Sequence, residues 1–395
     1  MSTRRRVAVA GGAAAVAGLA AAGPVLDHLI GRVERRLNAI TAPTLLPSER
    51  ALALHATIRA VDLHADSLLF GRDLLVRGTR GHLDVPRMIE GGVALQVFSA
   101  AVKSPRHLNI ERNDDRSDDV TSVAVAARWP TRTWRSLPAR ALFLADRAHR
   151  LEARSDGAFR LIGTREDLAA YLEARATDPR LTAGILAIEG AHALGPDLST
   201  LDAMVEAGFR MISPAHFFDT AYGGSAHGIG KGGLTPLGRE LVREMETRGL
   251  IPDVAHASTA TIDDVVSMAT RPVVASHTGV RATADNARNL TDDQLRGIAA
   301  TGGLVGIGFW DTATGGRDAQ AIARAIVHAV GVIGAERVAL GSDWDGAVPV
   351  PFDAAGLPGL TDALLQSGLD DATIRAVMGE NALRLFAESL PSAAG

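Results

Sequence analysis

The chain has 395 residues, 22% of them charged, with a net charge of -4 and no cysteine. That balance argues against nucleic acid or an anionic membrane surface as the main partner, and the lack of thiols excludes disulfides, thiolate zinc sites and a cysteine nucleophile. Any metal must be held by His, Asp and Glu, a donor set that suits zinc with an open coordination position better than a closed structural site.

The N-terminus reads Met1-Ser2-Thr3-Arg4-Arg5-Arg6, then an Ala/Gly/Val run from Val7 to Ala22, then Gly23-Pro24. A basic start, a weakly apolar middle and the small residues Ala20-Ala21-Ala22 predict an export signal over residues 1–26, of the twin-arginine kind through Arg4-Arg5, and hence a periplasmic or extracellular protein. The alternative is an uncleaved membrane anchor, although the run is shorter than the roughly 18 to 20 apolar residues a span needs. Over residues 27–47, Leu29, Ile30, Val33 and Leu37 keep helical spacing amid Arg32, Arg35 and Arg36, which predicts a short amphipathic helix and a Pro-containing linker. Ser48 is placed to cap the helix that opens the main domain, residues 48–390.

From there, apolar runs alternate with segments of helical spacing. Val61-Asp62-Leu63-His64-Ala65-Asp66, Ala94 to Ala100, the run to Glu189, Phe209 to His216, the runs to His256 and His277, Leu304 to Phe309, and Val338 to Asp343 read as eight strands. Helices are predicted over Arg140–Arg154, Glu166–Arg175, around Met204 and Val205, over Leu237–Arg248 behind Pro236, over Asp292–Ala300 and Ala319–Ile333, and over a closing segment from Asp371 to Phe386. Eight such alternations predict a TIM-type (β/α)₈ barrel, in which reactive groups collect at the C-terminal ends of the strands.

Six of these runs end in His, Asp or Glu. One such residue would be an ordinary buried polar group with a partner of its own, but six with one placement point to a shared site. His64 and Asp66 lie two apart at a strand end and so face the same side, as a metal-binding pair does. Glu189 offers two oxygens that can bridge two ions, and His256 with His277 can hold the second. The only lysines, Lys103 and Lys231, are not at strand ends, so a carbamylated lysine bridge is a poorer choice than Glu189. Gly228-Ile229-Gly230-Lys231-Gly232-Gly233 matches a dinucleotide-binding pattern, but it follows loop rather than strand. It is read instead as a flexible lid near the barrel mouth.

In order, Asp62-Leu63-His64-Ala65-Asp66, Ile188-Glu189-Gly190-Ala191-His192, Gly233-Leu234-Thr235-Pro236-Leu237-Gly238, Asp253-Val254-Ala255-His256-Ala257-Ser258, Pro272-Val273-Val274-Ala275-Ser276-His277, Arg288-Asn289 and Gly341-Ser342-Asp343-Trp344-Asp345-Gly346 resemble the membrane dipeptidase (renal dipeptidase) family of zinc peptidases among the amidohydrolase barrels. The resemblance spans about Ile58 to Phe386. It implies two zinc ions, one held by His64, Asp66 and Glu189 and the other by Glu189, His256 and His277. It further implies that His216 and Arg288 hold the substrate and that Asp343 handles protons. The expected reaction is hydrolysis of small dipeptides, with tolerance for a C-terminal D-residue, by a water that bridges the two ions and is activated by them. Asp343 would act as general base and then acid, His216 would stabilise the oxyanion, and the planar fork of Arg288 would bind the free carboxylate. His192 is expected to orient Glu189 by a hydrogen bond, and Asp345 to brace the last loop. Trp310 and Tyr222 are open between pocket wall, core and lid. Membrane attachment through the N-terminal segment and pairing into a homodimer both remain compatible with the sequence. Two other readings are an amidohydrolase acting on another small amide, lactam or N-acyl amino acid, and a metal- or peptide-binding protein without turnover.

Overall fold

A computed structural model describes residues 23–42 and 46–393. Most of the segment read as export signal or anchor therefore lies outside the described residues, and no helix among those described is long and apolar enough to cross a membrane.

Nine parallel strands form one sheet: β1 (Ala60–Ala65), β2 (Val93–Ala101), β3 (Phe159–Leu161), β4 (Thr182–Glu189), β5 (Phe209–Ile212), β6 (Ile251–Pro252), β7 (Val274–Thr278), β8 (Leu304–Ile307) and β9 (Val338–Leu340). Their order is β6-β5-β4-β2-β1-β9-β8-β7, with β3 paired to β4 off this path. A parallel bridge from Asp253 to Val274 joins the two ends of the path. There the Val254 amide donates to the Val274 carbonyl at 2.7 Å, which closes an eight-stranded barrel. The strands β1, β2, β4, β7, β8 and β9 are buried along their whole length, which explains their near-continuous Val, Ile, Leu and Ala runs. The three residues of β3 are too few to carry a periodic signal, and the sequence reading missed them.

The surrounding helices include α1 (Gly23–Leu37), α2 (Asp119–Ala126), α3 (Leu137–Arg154), α4 (Arg165–Thr177), α5 (Pro236–Thr247), α6 (Thr259–Met268), α7 (Asp292–Ala300), α8 (Ala319–Ile333), α9 (Leu357–Gln366) and α10 (Asn381–Ser389). Side-chain caps set several of their starts. Ser48 accepts from the Ala51 amide ahead of the helix Glu49–His55, and Thr164 with Asp167, and Thr291 with Gln294, form reciprocal capping boxes on α4 and α7. The closing segment is not one helix: Asp371–Arg375 passes into a π-helical stretch, Ala376–Glu380, before α10. At Gly379 a Cβ would lie 1.9 Å from the Arg59 carbonyl, so only glycine permits this close approach to the entrance of β1.

Three predicted strands stop earlier than expected. β5 ends at Ile212, β6 at Pro252 and β9 at Leu340, so His216, His256 and Asp343 stand on the loops that follow. His256 and Asp343 have φ of 61° and 62°, a left-handed backbone that cannot continue a strand and costs a non-glycine residue about 1 to 3 kcal/mol. Apolar composition marks burial, and here burial continues past the last strand hydrogen bond.

Candidate metal centre

Strand alternation places Asp62 and His64 on the side of β1 opposite Val61 and Leu63. The buried Asp62 carboxylate accepts from Gln96 Nε2 (2.6 Å), Ser342 Oγ (2.8 Å) and the Ser342 amide (2.6 Å), tying β1 to β2 and to the loop after β9. That fixes the strand end from which His64 and Asp66 project. Glu189 ends β4 and is 4% exposed, and four imidazoles surround it. Its Oε1 lies 3.6 Å from His64 Nε2, 3.1 Å from His256 Nε2 and 3.4 Å from His277 Nε2, while Oε2 lies 3.4 Å from His216 Nε2. His64 Nε2 is also 3.7 Å from Asp66 Oδ2 and 3.9 Å from Asp343 Oδ1.

All five predicted metal ligands thus meet, together with His216 and Asp343. Their donor atoms fall into three overlapping triplets: His64–Glu189–His277, Glu189–His216–His256 and His64–Asp66–Asp343. The grouping differs from the two sets the resemblance implied, because His216 and Asp343 approach as closely as the named ligands do. His256 and His277 are nevertheless neighbours, with their Nε2 atoms 2.9 Å apart.

The cluster has the features of a cation site. His64 Nε2, Asp66 Oδ1 and Glu189 Oε2 are buried with no hydrogen-bond partner among the described residues. Burial pushes the Glu189 carboxyl well above its usual range, although His64 pulls it down. Burial also pushes His216, His256 and His277 well below theirs, and nearby imidazoles and Arg288 add to the effect. At His64 burial opposes charge too, but Glu189, Asp66 and Asp343 outweigh it and raise the group to about 10. His216, His256 and His277 are thus held in the neutral ligand form while His64 carries a charge beside the carboxylates, and a divalent cation would supply that positive charge in its place.

A relay that the sequence reading missed orients one ligand. Ser276 Oγ donates to Asp253 Oδ2 at 2.6 Å and lies 2.9 Å from His277 Nδ1. With its own proton committed to Asp253, Ser276 accepts from Nδ1–H of His277, which leaves the lone pair on Nε2 facing Glu189. Asp253 also accepts from the Ser276 and Ala255 amides, so the same carboxylate staples the seam where the barrel closes.

Asp343 is 8% exposed, and burial raises its carboxyl to about 8 despite the pull of His64. Arg288 is 5% exposed; burial lowers it only to about 10, and it stays charged at neutral pH. One of its nitrogens donates to the His277 carbonyl at 2.6 Å, and its guanidinium carbon lies 5.7 Å from the Trp310 ring centre. Trp310 therefore walls the site beside His277 and Arg288. Tyr222 is core, its hydroxyl bonded to the Gly195 and Asp197 carbonyls.

Two expectations need correction. His192 makes no hydrogen bond to Glu189: both its ring nitrogens are without a partner among the described residues, and its ring packs on Phe218 with centres 4.8 Å apart. The glycine-rich loop is not a free lid either. Asp219 accepts from the Ser225 (2.9 Å) and Gly230 (2.6 Å) amides, and the buried Ser225 hydroxyl donates to the His216 carbonyl. That loop is tied to the backbone of His216. The expected brace by Asp345 is present: its carboxylate accepts from Ser67 Oγ and the His82 amide and pairs with Arg72.

A parallel α/β barrel with a histidine–carboxylate cluster at its strand ends places the protein in the metallohydrolase class of barrels. Residues 48–393 match the membrane dipeptidase family, peptidase family M19, and the chain belongs to it. It is thus a hydrolase of the metal-dependent dipeptidase kind. An uncharacterized protein in the pqqA 5' region of Klebsiella pneumoniae is 33% identical over 252 residues, which are 60% of this chain and 91% of that protein. The crystal structure of dipeptidase AC, a metallopeptidase of the same family, is 29% identical with a TM-score of 0.70, covering 85% of this chain and 100% of that one. A metallopeptidase from Rhodobacter sphaeroides, liganded with a phosphinate mimic of the dipeptide L-Ala-D-Ala, is 28% identical with a TM-score of 0.69, covering 84% of this chain and 99% of that one.

Proposed function

We propose that the protein is a zinc-dependent dipeptidase that hydrolyses small dipeptides and tolerates a D-residue at the C-terminal position. The observation that carries this reading is the convergence of His64, His216, His256 and His277 on the two oxygens of buried Glu189. The dipeptide mimic bound to the Rhodobacter relative supports the substrate class and the D-residue. His64, Asp66 and Glu189 would hold one zinc ion, and Glu189, His256 and His277 a second. When bound, such a pair activates water and polarises the peptide carbonyl.

This chain's own groups do the rest. Asp343, at the edge of the cluster, would be ionised once bound cations offset the burial that holds its carboxyl up, and would then accept the proton of the attacking water and deliver it to the leaving amine. His216 Nε2 faces the cluster and stabilises the developing oxyanion. Arg288, fixed through the His277 carbonyl, presents its remaining N–H groups to the free carboxylate of the substrate. Residues 48–390 carry the catalysis, and residues 1–26 direct export by the twin-arginine route, which replacement of Arg4 and Arg5 by lysine would block.

Elemental analysis of zinc-loaded protein, paired with hydrolysis of a dipeptide panel, tests the reading. It expects close to two ions per chain, fewer in Glu189→Ala, and turnover of dipeptides. A value near one that ignores Glu189, or preferential cleavage of lactams or N-acyl amino acids, would overturn it.

A further inference from the structure

The catalytic cluster opens into a cavity of about 300 Å³ that includes Asp66, Glu189, His216, His256 and Asp343 in its lining. The rest of the wall is largely apolar, and part of it comes from outside the family match: Val33 and Leu37 of α1 line the cavity, whereas the match begins at residue 48. The same lining includes Leu108, Val120 and Val123, with Val348 from the loop that carries Asp343.

α1 is fixed in this position. Glu34, between its two wall residues, is fully buried; its Oε1 lies 2.5 Å from Arg72 Nε and its Oε2 2.5 Å from Arg80 Nε. Just beyond the helix, the Thr41 amide donates to the Val350 carbonyl at 2.9 Å and the Val350 amide donates to the Ala39 carbonyl at 3.0 Å. At the other end Asp27 pairs with Arg128 at 2.9 Å. Val33 and Leu37 themselves stay 54% and 38% exposed, so each keeps apolar surface that no described residue covers.

We propose that α1 is a specificity wall of the active site: Val33 and Leu37 complete an apolar subsite for a large aliphatic or aromatic side chain on the N-terminal residue of the dipeptide. This rests on the dipeptidase reading and extends it to the substrate's side chain. Arg288, the group assigned to the free carboxylate, sits against the His277 carbonyl and the Trp310 ring, whereas α1 lines the cavity beside Asp66 and Asp343, so the α1 wall is assigned to the other end of the dipeptide. A side chain of Leu or Phe size removes from water both its own surface and that of Val33 and Leu37, while Ala reaches neither.

The test compares kcat/KM for Phe-Ala, Ala-Phe and Ala-Ala on the full zinc-loaded chain. Truncation of a hydrophobic pocket shifts such ratios by about tenfold or more. The double variant Val33→Ala/Leu37→Ala is expected to lower the Phe-Ala to Ala-Ala ratio about tenfold, through KM. The Ala-Phe to Ala-Ala ratio should stay within about twofold. Val33→Trp, which narrows the cavity, should also lower the Phe-Ala ratio. Leu29→Ala, on the same helix but away from the cavity, controls for loss of helix structure and should leave both ratios unchanged. Wild-type preference for Ala-Ala over Phe-Ala, equal loss on Phe-Ala and Ala-Phe, or an unchanged ratio in the double variant would each overturn the wall. Failure of the wild type to cleave any of the three is a different result: it overturns the dipeptidase reading and with it the subsite.

Discussion

As a proposed metal ligand, His277 would need its proton on Nδ1 to leave Nε2 free, and the contact with Ser276 favours that tautomer. Ser276→Ala removes the acceptor for Nδ1–H and leaves Asp253 without its hydroxyl donor. Loss of such an outer partner typically costs 10- to 100-fold in metal affinity, so zinc competition titrations should show a fall of about that size. Unchanged affinity would assign Ser276 to barrel closure alone. Arg288 is tested through its substrate. Removing one side of a desolvated charge pair costs about 2 to 5 kcal/mol, at least tenfold in kcat/KM. Arg288→Met should therefore impair hydrolysis of dipeptides, scarcely change that of their C-terminal amides, and leave metal content unaltered. Equal slowing of both substrates would remove Arg288 from carboxylate recognition.

At the scale of elements, the amphipathic helix expected ahead of the Pro-containing linker is present as α1 and is docked by one buried carboxylate. Burial pushes the Glu34 carboxyl up, while Arg72 and Arg80 pull it down. Breaking a buried ion pair from one side leaves the partner charge uncompensated and costs on the order of 3 kcal/mol. Glu34→Ala should accordingly free α1 before the barrel melts, seen as faster amide exchange over residues 27–37 at unchanged protection of β1 and β4. Because Arg72 also pairs with Asp345, two residues from Asp343, kcat should fall as well. Exchange that rises equally across the barrel would show that α1 is part of the cooperative core.

For the whole molecule, stability is expected to depend on cation and on pH. A ligand that binds only the folded state adds about 2.7 kcal/mol at 100 times its Kd, so chelation should lower Tm by several degrees and zinc restore it; a Tm indifferent to both would contradict a native metal centre. Acid acts through histidines buried neutral. His82, fully buried, accepts from the Asp345 amide at 3.0 Å; burial, with Arg72 and Arg87, lowers it to about 4 although Asp345 opposes this. The unfolded chain binds that proton near pH 6.5, so the contribution is complete above about 6.5 and is lost as pH falls through about 4. The full loss is on the order of 3 kcal/mol. His82→Asn keeps an acceptor without a proton to gain, and should flatten this part of the stability curve in urea titrations from pH 7 to pH 4.

Much of this was legible in the chain itself. Strands buried on both faces leave long apolar runs, and a polar residue at the end of such a run needs a partner, so the barrel and the meeting of His64, Asp66, Glu189, His256 and His277 followed from local pattern. Helix limits were legible where a cap is a local bond, as at Ser48 and Thr291. Tertiary structure decided the rest, because the relevant partners are distant in sequence. Asp253, Ser276 and His277 form a relay only when the two barrel ends meet. The left-handed backbone at His256 and Asp343 shows no mark in composition. Glu34 stands among arginines on the predicted amphipathic helix with nothing local to mark its partners; only the fold brings Arg72 and Arg80 to its carboxylate and sets that helix against the site.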